Sequence, residues 1–389
     1  MKIKELIKAT NAKVIKEIDE NLEVNLSTDT RTIKDGDFYL PLKGASFDGE
    51  KFIPQALEKG AVGAFCTGID GNLQVENTLT AYLELANYRR KKLNFKVVAI
   101  TGSSGKTTTK ELVASTLSAK FKTFKTPLNH NNEIGFCQTI FETPDDTEVL
   151  VLEMGMRGLG EIELLSKYSE PDITIISNVG TAHIGRLGSR ENIAKAKCEI
   201  VKYQRGNVFI AHDDELIKKT VEFDGEKIYY SINDVEILEK TAHYSKFKYK
   251  NEIFELNVGG DYNIENALAA INAGLKLGMN FEEIKTGLMQ YAPIEKRWEA
   301  VKAGGYEIIN DSYNANPESM RAFVDTILEL YNKYVLVLGD MGELGEKEVQ
   351  YHKELGNYIN SHKKLAKNAS VLTIGDLSKN ISDMVTNCN

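Results

Sequence analysis

One stretch constrains this chain more than any other: Val97 to Thr109, reading V-V-A-I-T-G-S-S-G-K-T-T-T. The run Val97, Val98, Ala99, Ile100 is apolar without alternation, which predicts a short strand buried on both faces that gives way at once to Gly102 and Gly105. Glycines let successive backbone N–H groups turn towards one anion, while Lys106 adds a mobile positive charge and Thr107 a hydroxyl suited to a magnesium ion. The helix expected from Lys106 to about Ala119 points its positive end at the same place. Gly102, Ser103, Ser104, Gly105, Lys106, Thr107 and Thr108 are therefore the candidate phosphate-binding residues. The position five before Gly105 is Ile100, so this is a shortened loop, T-G-x-x-G-K-T. The alternative is a plain strand-turn-helix corner.

A phosphate loop does not say what is done with the phosphate. The 389 residues predict two or three domains, each able to bury a core. With 48 basic and 56 acidic residues the net charge is −8, which argues against a protein that coats nucleic acid. The start, M-K-I-K-E-L-I-K, lacks the apolar core of a signal peptide, and no window reaches the length of a membrane span. Cys66, Cys137, Cys198 and Cys388 lie far apart, without metal-ligand or redox spacing. A cytoplasmic location follows as the expectation.

Residues 1–95 read as a small N-terminal α/β module, closed by a basic run, Arg89 to Lys92, expected as a solvated helix end. Residues 96–292 alternate strand and helix, with apolar strands at Val97 to Ile100, Val149 to Leu152, Ile173 to Ile176 and Val208 to Ala211. Such alternation implies a mostly parallel sheet with ligands beyond the C-terminal strand ends, where Thr101, Glu153, Ser177 and Asn178 fall. Residues 293–389 form a second, short, Rossmann-like α/β unit with strands at Tyr306 to Asn310, Tyr334 to Leu338 and Val371 to Ile374. The fold class expected is α/β in three domains.

Glu153 closes the run V-L-V-L and is either a magnesium contact beside the phosphate loop or a capping or salt-bridged acid. His183, in the glycine-punctuated loop N-V-G-T-A-H-I-G-R-L-G-S, lies on the ligand side; such a histidine read alone is more often an ordinary loop residue than a ligand. Ser189 is a good N-cap for the helix that follows. Lys197 falls four after Ile193 and three before Ile200, so it points inward. An inward lysine is either paired with a carboxylate or carries a partly neutral amine open to carbon dioxide. The segment N-H-N-N-E-I-G, with Asn129, Asn131 and Asn132, serves a capped turn or a substrate contact. Asn263 and Asn266 share a helix face that either meets a flat base or faces solvent.

These pieces, in this order, resemble the Mur ligases of bacterial cell-wall synthesis. The marks are T-G-S-S-G-K-T-T-T-K-E, N-H-N-N-E-I-G, L-E-M-G-M-R-G-L-G-E-I, N-V-G-T-A-H-I-G-R-L-G-S-R-E-N-I-A-K-A-K, N-D-S-Y-N-A-N-P-E-S-M and L-G-D-M-G-E-L-G. Several of them resemble the branch that adds a dipeptide. The resemblance implies ATP-dependent ligation of D-alanyl-D-alanine to UDP-N-acetylmuramoyl-tripeptide through an acyl phosphate, by a cytoplasmic monomer. It implies that Lys106 holds the phosphates, that Thr107 and Glu153 bind a first Mg2+, and that His183 and a carbamylated Lys197 serve a second. It also assigns Asn266 to the adenine, and Arg297 and Asp311 to the ribose or phosphates. Ser27, Asp29, Thr30 and Arg31 go to the uridine nucleotide, and Asn129, Asn131 and Asn132 to the substrate cleft.

The chain departs from the family where Tyr262 replaces a common histidine and where the D-G-H of the first domain ends in Glu50. Relatives usually continue past the position of Asn389 through a strand carrying K-G-S-R and a final helix, so a truncated chain or a short form of reduced activity is expected. The competing readings are a sister ligase adding one amino acid and a catalytically incomplete nucleotide-binding homologue.

Overall fold

In the computed structural model, which describes residues 1–44, 47–127, 129–362 and 369–386, the chain groups into two units, Met1–Asn94 with Glu133–Thr143, and Phe95–Asn132 with Pro144–Asn389. Cys388 lies outside the described residues.

The first unit carries five short strands: β1 (Lys13–Val14), β2 (Leu26–Ser27), β3 (Phe38–Tyr39), β4 (Gly63–Cys66) and β5 (Leu73–Gln74). They lie in the order β1-β5-β4-β3-β2, parallel except where β1 meets β5. Phe38 and Phe65 meet edge to face beneath the sheet, 5.3 Å between ring centres. The helix Thr78–Leu93 starts where the Asn77 side chain accepts the Thr80 N–H and stops where Asn94 turns left-handed. Helix Glu133–Glu142 packs here although its sequence falls inside the central segment, with Phe141 stacked on Tyr82 at 5.6 Å. The basic run is the solvated end expected only in part: Lys91 and Lys92 are exposed, the two arginines are not. Arg89 donates to the carbonyls of Ile140 and Thr143, and Arg90 is only 1% exposed.

The second unit is built on a six-stranded sheet of β6 (Lys96–Thr101), β7 (Thr123–Lys125), β8 (Val149–Glu153), β9 (Ile173–Ile176), β10 (Val208–His212) and β11 (Glu226–Tyr230). Every pairing is parallel, in the order β11-β10-β9-β6-β8-β7. The strand ahead of the glycine loop is thus central, with Glu153 and Ser177–Asn178 at the ends of its two neighbours. Val97 to Ile100 are wholly buried, as a strand covered on both faces should be. Helices Lys106–Ser118 and Asp261–Lys276 pack on this sheet and on each other, and Ile264, Leu268 and Ile271 are buried in one core. An antiparallel sheet, β12 (Glu236–Lys240), β13 (Ser245–Tyr249) and β14 (Glu252–Leu256), follows. Its second hairpin turns on Lys250 and Asn251, both at positive φ.

The C-terminal segment forms two pairs, antiparallel β15 (Glu299–Ala303) with β16 (Tyr306–Asn310), and parallel β17 (Tyr334–Gly339) with β18 (Ala369–Ile374). Helix Pro317–Leu330 opens with Asn316 and Ser319 capping each other.

Candidate active site

The glycine loop is held from below by the end of β9. Asn178 Oδ1 accepts the backbone N–H groups of Ser103 and Ser104 at 3.1 and 3.0 Å, while its Nδ2 donates to the Ser104 carbonyl and hydroxyl at 3.1 and 2.9 Å. Ser177 donates to the Ser104 carbonyl at 2.6 Å, and the Gly180 N–H to the Ser103 hydroxyl at 2.9 Å. The Ser103 and Ser104 N–H groups are therefore spent, and those at the start of helix Lys106–Ser118 are left to meet an anion. A Cβ on Gly102 would lie 1.9 Å from Ser177 Oγ, and Gly105 sits at φ +74°; both positions require glycine. Lys106 folds back to donate to the Gly102 carbonyl at 2.8 Å. Burial pulls its pKa down, with Glu153 opposing.

The second wall is the end of β8. Glu153 is buried; its Oε1 accepts from Asn131 Nδ2 at 2.9 Å, and its Oε2 has no hydrogen-bond partner. Lys110, one helical turn after Lys106, brings its ammonium to 3.9 Å from that Oε2. Of the two sequence readings of Glu153, the salt-bridged one is met at long range, and one oxygen is left without a hydrogen bond.

The third wall comes from beyond residue 292. Asp311 accepts from the Tyr262 hydroxyl at 3.1 Å and the Trp298 N–H at 3.2 Å; burial nevertheless raises its pKa. The Arg297 guanidinium lies 3.9 Å over the Tyr313 ring. Asn266 is buried rather than solvent-facing, its Oδ1 accepting the Thr109 hydroxyl at 3.0 Å. It braces the loop from the neighbouring helix. Glu318, unremarked in the sequence, accepts the N–H and hydroxyl of Thr181 at 3.1 and 2.8 Å.

These walls enclose a cleft of about 500 Å³. It brings together Ser103 to Thr108, Asn129, Asn131 and Glu153 with Asn266, Arg297 and Asp311. Gly102, Asn132, His183 and Lys197 do not line it. His183 stands at φ +66° with Nδ1 2.5 Å from Glu343 Oε2. Burial lowers its pKa against the pull of Glu343. Lys197 is inward as its spacing demanded, 1% exposed, and among the described residues no carboxylate pairs with it. Burial, and then the charge of Lys106, push its amine well below the usual lysine range. At the edge of the cleft His212 Nε2 meets Glu265 Oε1 at 3.2 Å.

A divalent cation can be tested against these residues. Among the described residues no group of three or more His, Cys, Asp or Glu side chains converges as a ready-made metal site. Glu153 Oε2, buried and unpartnered on the same cleft as Thr107, is nevertheless the kind of oxygen a hard cation would complete, so the residues fit a magnesium ion bound jointly with phosphate.

In the first unit, Asp29 and Arg31 form a bidentate pair with a shortest distance of 2.6 Å, and the Arg31 hydrogen bonds draw the Asp29 carboxyl down to about 2. Ser27 donates to the Asp29 carbonyl at 3.2 Å, and Lys59 to the Thr30 carbonyl at 2.8 Å. The Arg31 side chain is 86% exposed, open to a solution anion.

Asn178 was recoverable from its place at a strand end, but its two-sided grip on the loop spans more than seventy residues. Lys110 had a helical signal only, its spacing from Lys106.

Three family models match the chain: "Mur ligase family, catalytic domain" over residues 24–95, "Mur ligase middle domain" over 100–274, and "Mur ligase, glutamate ligase domain" over 296–385. UDP-N-acetylmuramoyl-tripeptide–D-alanyl-D-alanine ligase of Bacillus subtilis (strain 168) is 38% identical over 379 residues, 93% of this chain and 82% of that protein. The crystal structure of MurF from Acinetobacter baumannii superposes with a TM-score of 0.91 at 30% identity, covering 100% of this chain and 88% of that one. MurF ligase from Thermotoga maritima in complex with ADP gives a TM-score of 0.82 at 28% identity, over 94% and 87% of the two chains.

Proposed function

This chain belongs to the Mur ligase family, and from that premise we propose that it joins D-alanyl-D-alanine to UDP-N-acetylmuramoyl-tripeptide with conversion of ATP to ADP and phosphate, a step of peptidoglycan precursor synthesis in the cytoplasm. The observation that carries the reading is one cleft faced by the glycine loop, by Glu153 with its unpartnered oxygen, and by Arg297 and Asp311.

The chemistry sets the requirement. A carboxylate is a poor acyl donor until one of its oxygens can leave as phosphate. In the first stage a carboxylate oxygen at the peptide end attacks the γ-phosphorus of ATP, and ADP leaves. In the second the dipeptide amine attacks the acyl carbon, the tetrahedral adduct collapses, phosphate departs, and the amine proton is lost. Both stages gather anions in one place, so cationic and N–H groups must be fixed there beforehand.

Lys106 exchanges its own-loop carbonyl for the phosphates, and the free N–H groups of the helix start hold their oxygens. Asn266 takes the adenine side, and Arg297 and Asp311 the ribose or phosphates. Asn129 and Asn131, which face the cleft, and the neighbouring Asn132 serve ATP and substrate. Ser27, Asp29, Thr30 and Arg31 hold the uridine nucleotide, Arg31 supplying charge to the diphosphate. Thr107 and Glu153 would hold one magnesium ion, His183 and a carbamate on Lys197 a second; bound there, the ions screen the repulsion between carboxylate and phosphate. The neutral amine favoured at Lys197 is the form that adds carbon dioxide, losing a proton as the N–C bond forms.

The test is ADP release by the purified protein with UDP-muramoyl-tripeptide and D-alanyl-D-alanine, single amino acids, or no acceptor. Turnover with the dipeptide alone is expected. Turnover with a single amino acid and not the dipeptide would make this a sister ligase, and nucleotide binding without any turnover a catalytically incomplete homologue.

A further inference from the structure

Lys110 is a charged side chain that the mechanism above leaves unused, and it is 1% exposed. Its ammonium donates to the Thr126 carbonyl at 2.9 Å, pairs with Glu111 Oε1 at 3.1 Å and stands 3.9 Å from Glu153 Oε2. Burying a charge is costly unless it is paired and hydrogen-bonded, and here both conditions are met by three different segments. Lys110 does not line the cleft, so it cannot itself reach a bound phosphate. Thr126 belongs to the same network from the other side, because its hydroxyl accepts the backbone N–H of Glu153 at 3.0 Å and its own N–H donates to the Val151 carbonyl at 2.9 Å. The residues that follow Thr126 lead to Asn131, whose amide holds the other oxygen of Glu153.

The distances differ in kind. The hydrogen bond of the ammonium goes to the Thr126 carbonyl and its close ion pair to Glu111, while Glu153 is held only at longer ion-pair range. At 3.9 Å a charge orients a carboxylate without occupying its lone pairs. We propose that Lys110 is a positioning residue that aims Glu153, drawing Oε2 into place while leaving that oxygen free to accept a divalent cation. Thr126, held by the same ammonium through its carbonyl, also accepts the backbone N–H of Glu153, so one anchor supports that residue's backbone and faces its Oε2.

The inference rests on reading Glu153 as a cation-holding residue, and the experiment separates the two. Manganese binding is followed by the loss of its free-ion electron paramagnetic resonance signal, with a non-hydrolysable ATP analogue present, and nucleotide binding is measured separately in EDTA. Lys110→Met is expected to weaken manganese binding by about 10-fold or more, the usual size of an effect on a ligand's supporting group. Nucleotide binding in EDTA should change by less than about 2-fold, since no phosphate contact is lost, and Lys110→Arg should restore much of the manganese affinity. A folded Lys110→Met protein with wild-type manganese affinity overturns the inference, as does an equal loss of nucleotide binding in EDTA. Should Lys110→Met fail to fold, Glu111→Gln loosens the same anchor, and unchanged manganese affinity there overturns it as well. Glu153→Gln is the control: normal manganese binding in that variant sinks the reading of Glu153, whereas weakened binding there alongside normal binding in Lys110→Met sinks only the role of Lys110.

Discussion

Two strands of this protein carry the same four residues in opposite surroundings. In β8 the run Val149, Leu150, Val151, Leu152 is at most 1% exposed throughout. In β17 the run Val335, Leu336, Val337, Leu338 alternates, with the leucines 2% exposed and the valines 59% and 56%. The first lies inside a six-stranded sheet packed on both faces; the second pairs with β18 and, among the described residues, is covered on one face only. Leu372 and Ile374 of β18, 50% and 68% exposed, continue its open face.

The polar residues that end these strands differ too. Glu153, the last residue of β8, retains a buried oxygen without a hydrogen bond, whereas Asp340, just after β17, spends Oδ1 on the N–H groups of Leu377 and Ser378 at 3.1 and 2.6 Å. A strand end flanked by neighbouring strands and facing a cleft can keep a polar atom in reserve for a ligand. An open one uses its polar atom to close the local turn.

The largest effects that would test this contrast lie at the enclosed end. Lys106→Ala should lower turnover on the order of 100- to 1,000-fold, read as steady-state ADP release, because it removes a charge aimed at the transferring phosphoryl group. Near-normal activity would break the assignment of the loop. Lys197→Ala is expected to lose on the order of 100-fold and to recover in part with acetate or another small carboxylate in the buffer. Absence of rescue, with no added mass at Lys197 in the intact protein, would remove the carbamate.

Glu153→Ala and Asp340→Ala make the direct pair. The first should abolish most turnover with little change in melting temperature. The second should keep turnover within a few-fold while costing roughly 1–3 kcal/mol of stability through the unpaired N–H groups it leaves. The reverse pattern would erase the distinction between the strand ends. Val151→Ala and Val337→Ala probe the strands themselves in urea. About 2 kcal/mol is expected for the buried valine and about 0.5 or less for the exposed one. Equal costs would show that the open face of β17 is covered in solution.

The smallest effect concerns pH at the end of β10. Burial lowers the His212 pKa, but Glu265 outweighs it and the net value is raised above 6.5. A raised histidine pKa contributes stability that is fully present below about 6.5 and is lost as pH rises through the folded-state value. The melting difference between wild type and Glu265→Gln should therefore be larger at pH 6 than at pH 9. The pair is partly exposed, so screening keeps the difference small, and a difference growing with pH would show that burial dominates after all.

Much of this was legible from residue order. The strand-loop-helix at Val97 to Ser118, the Ser189 cap and the inward turn of Lys197 rest on local periodicity and on backbone freedom at glycine. The antiparallel sheet from Glu236 to Leu256 was not, since its strands are rich in Lys and Glu and its turn is Lys-Asn rather than a glycine pair. Asn266 could not be placed by its helix face alone, because a second helix rather than solvent covers that face.

The sequence by itself determined that a phosphate loop sits between a buried strand and a helix, and that the chain belongs with ATP-dependent ligases. The loop needs only neighbours within a few turns; the likeness to the ligases rests on motifs spread from Ser27 to Gly345. Tertiary structure decided what completes the loop: Asn178 beneath it, Lys110 behind Glu153, and Glu343 against His183. Their partners follow from the order β9-β6-β8 and from segments far apart in the chain. That order buries V-L-V-L in β8, whereas the two-stranded pairing of β17 with β18 leaves half of the same side chains at the surface.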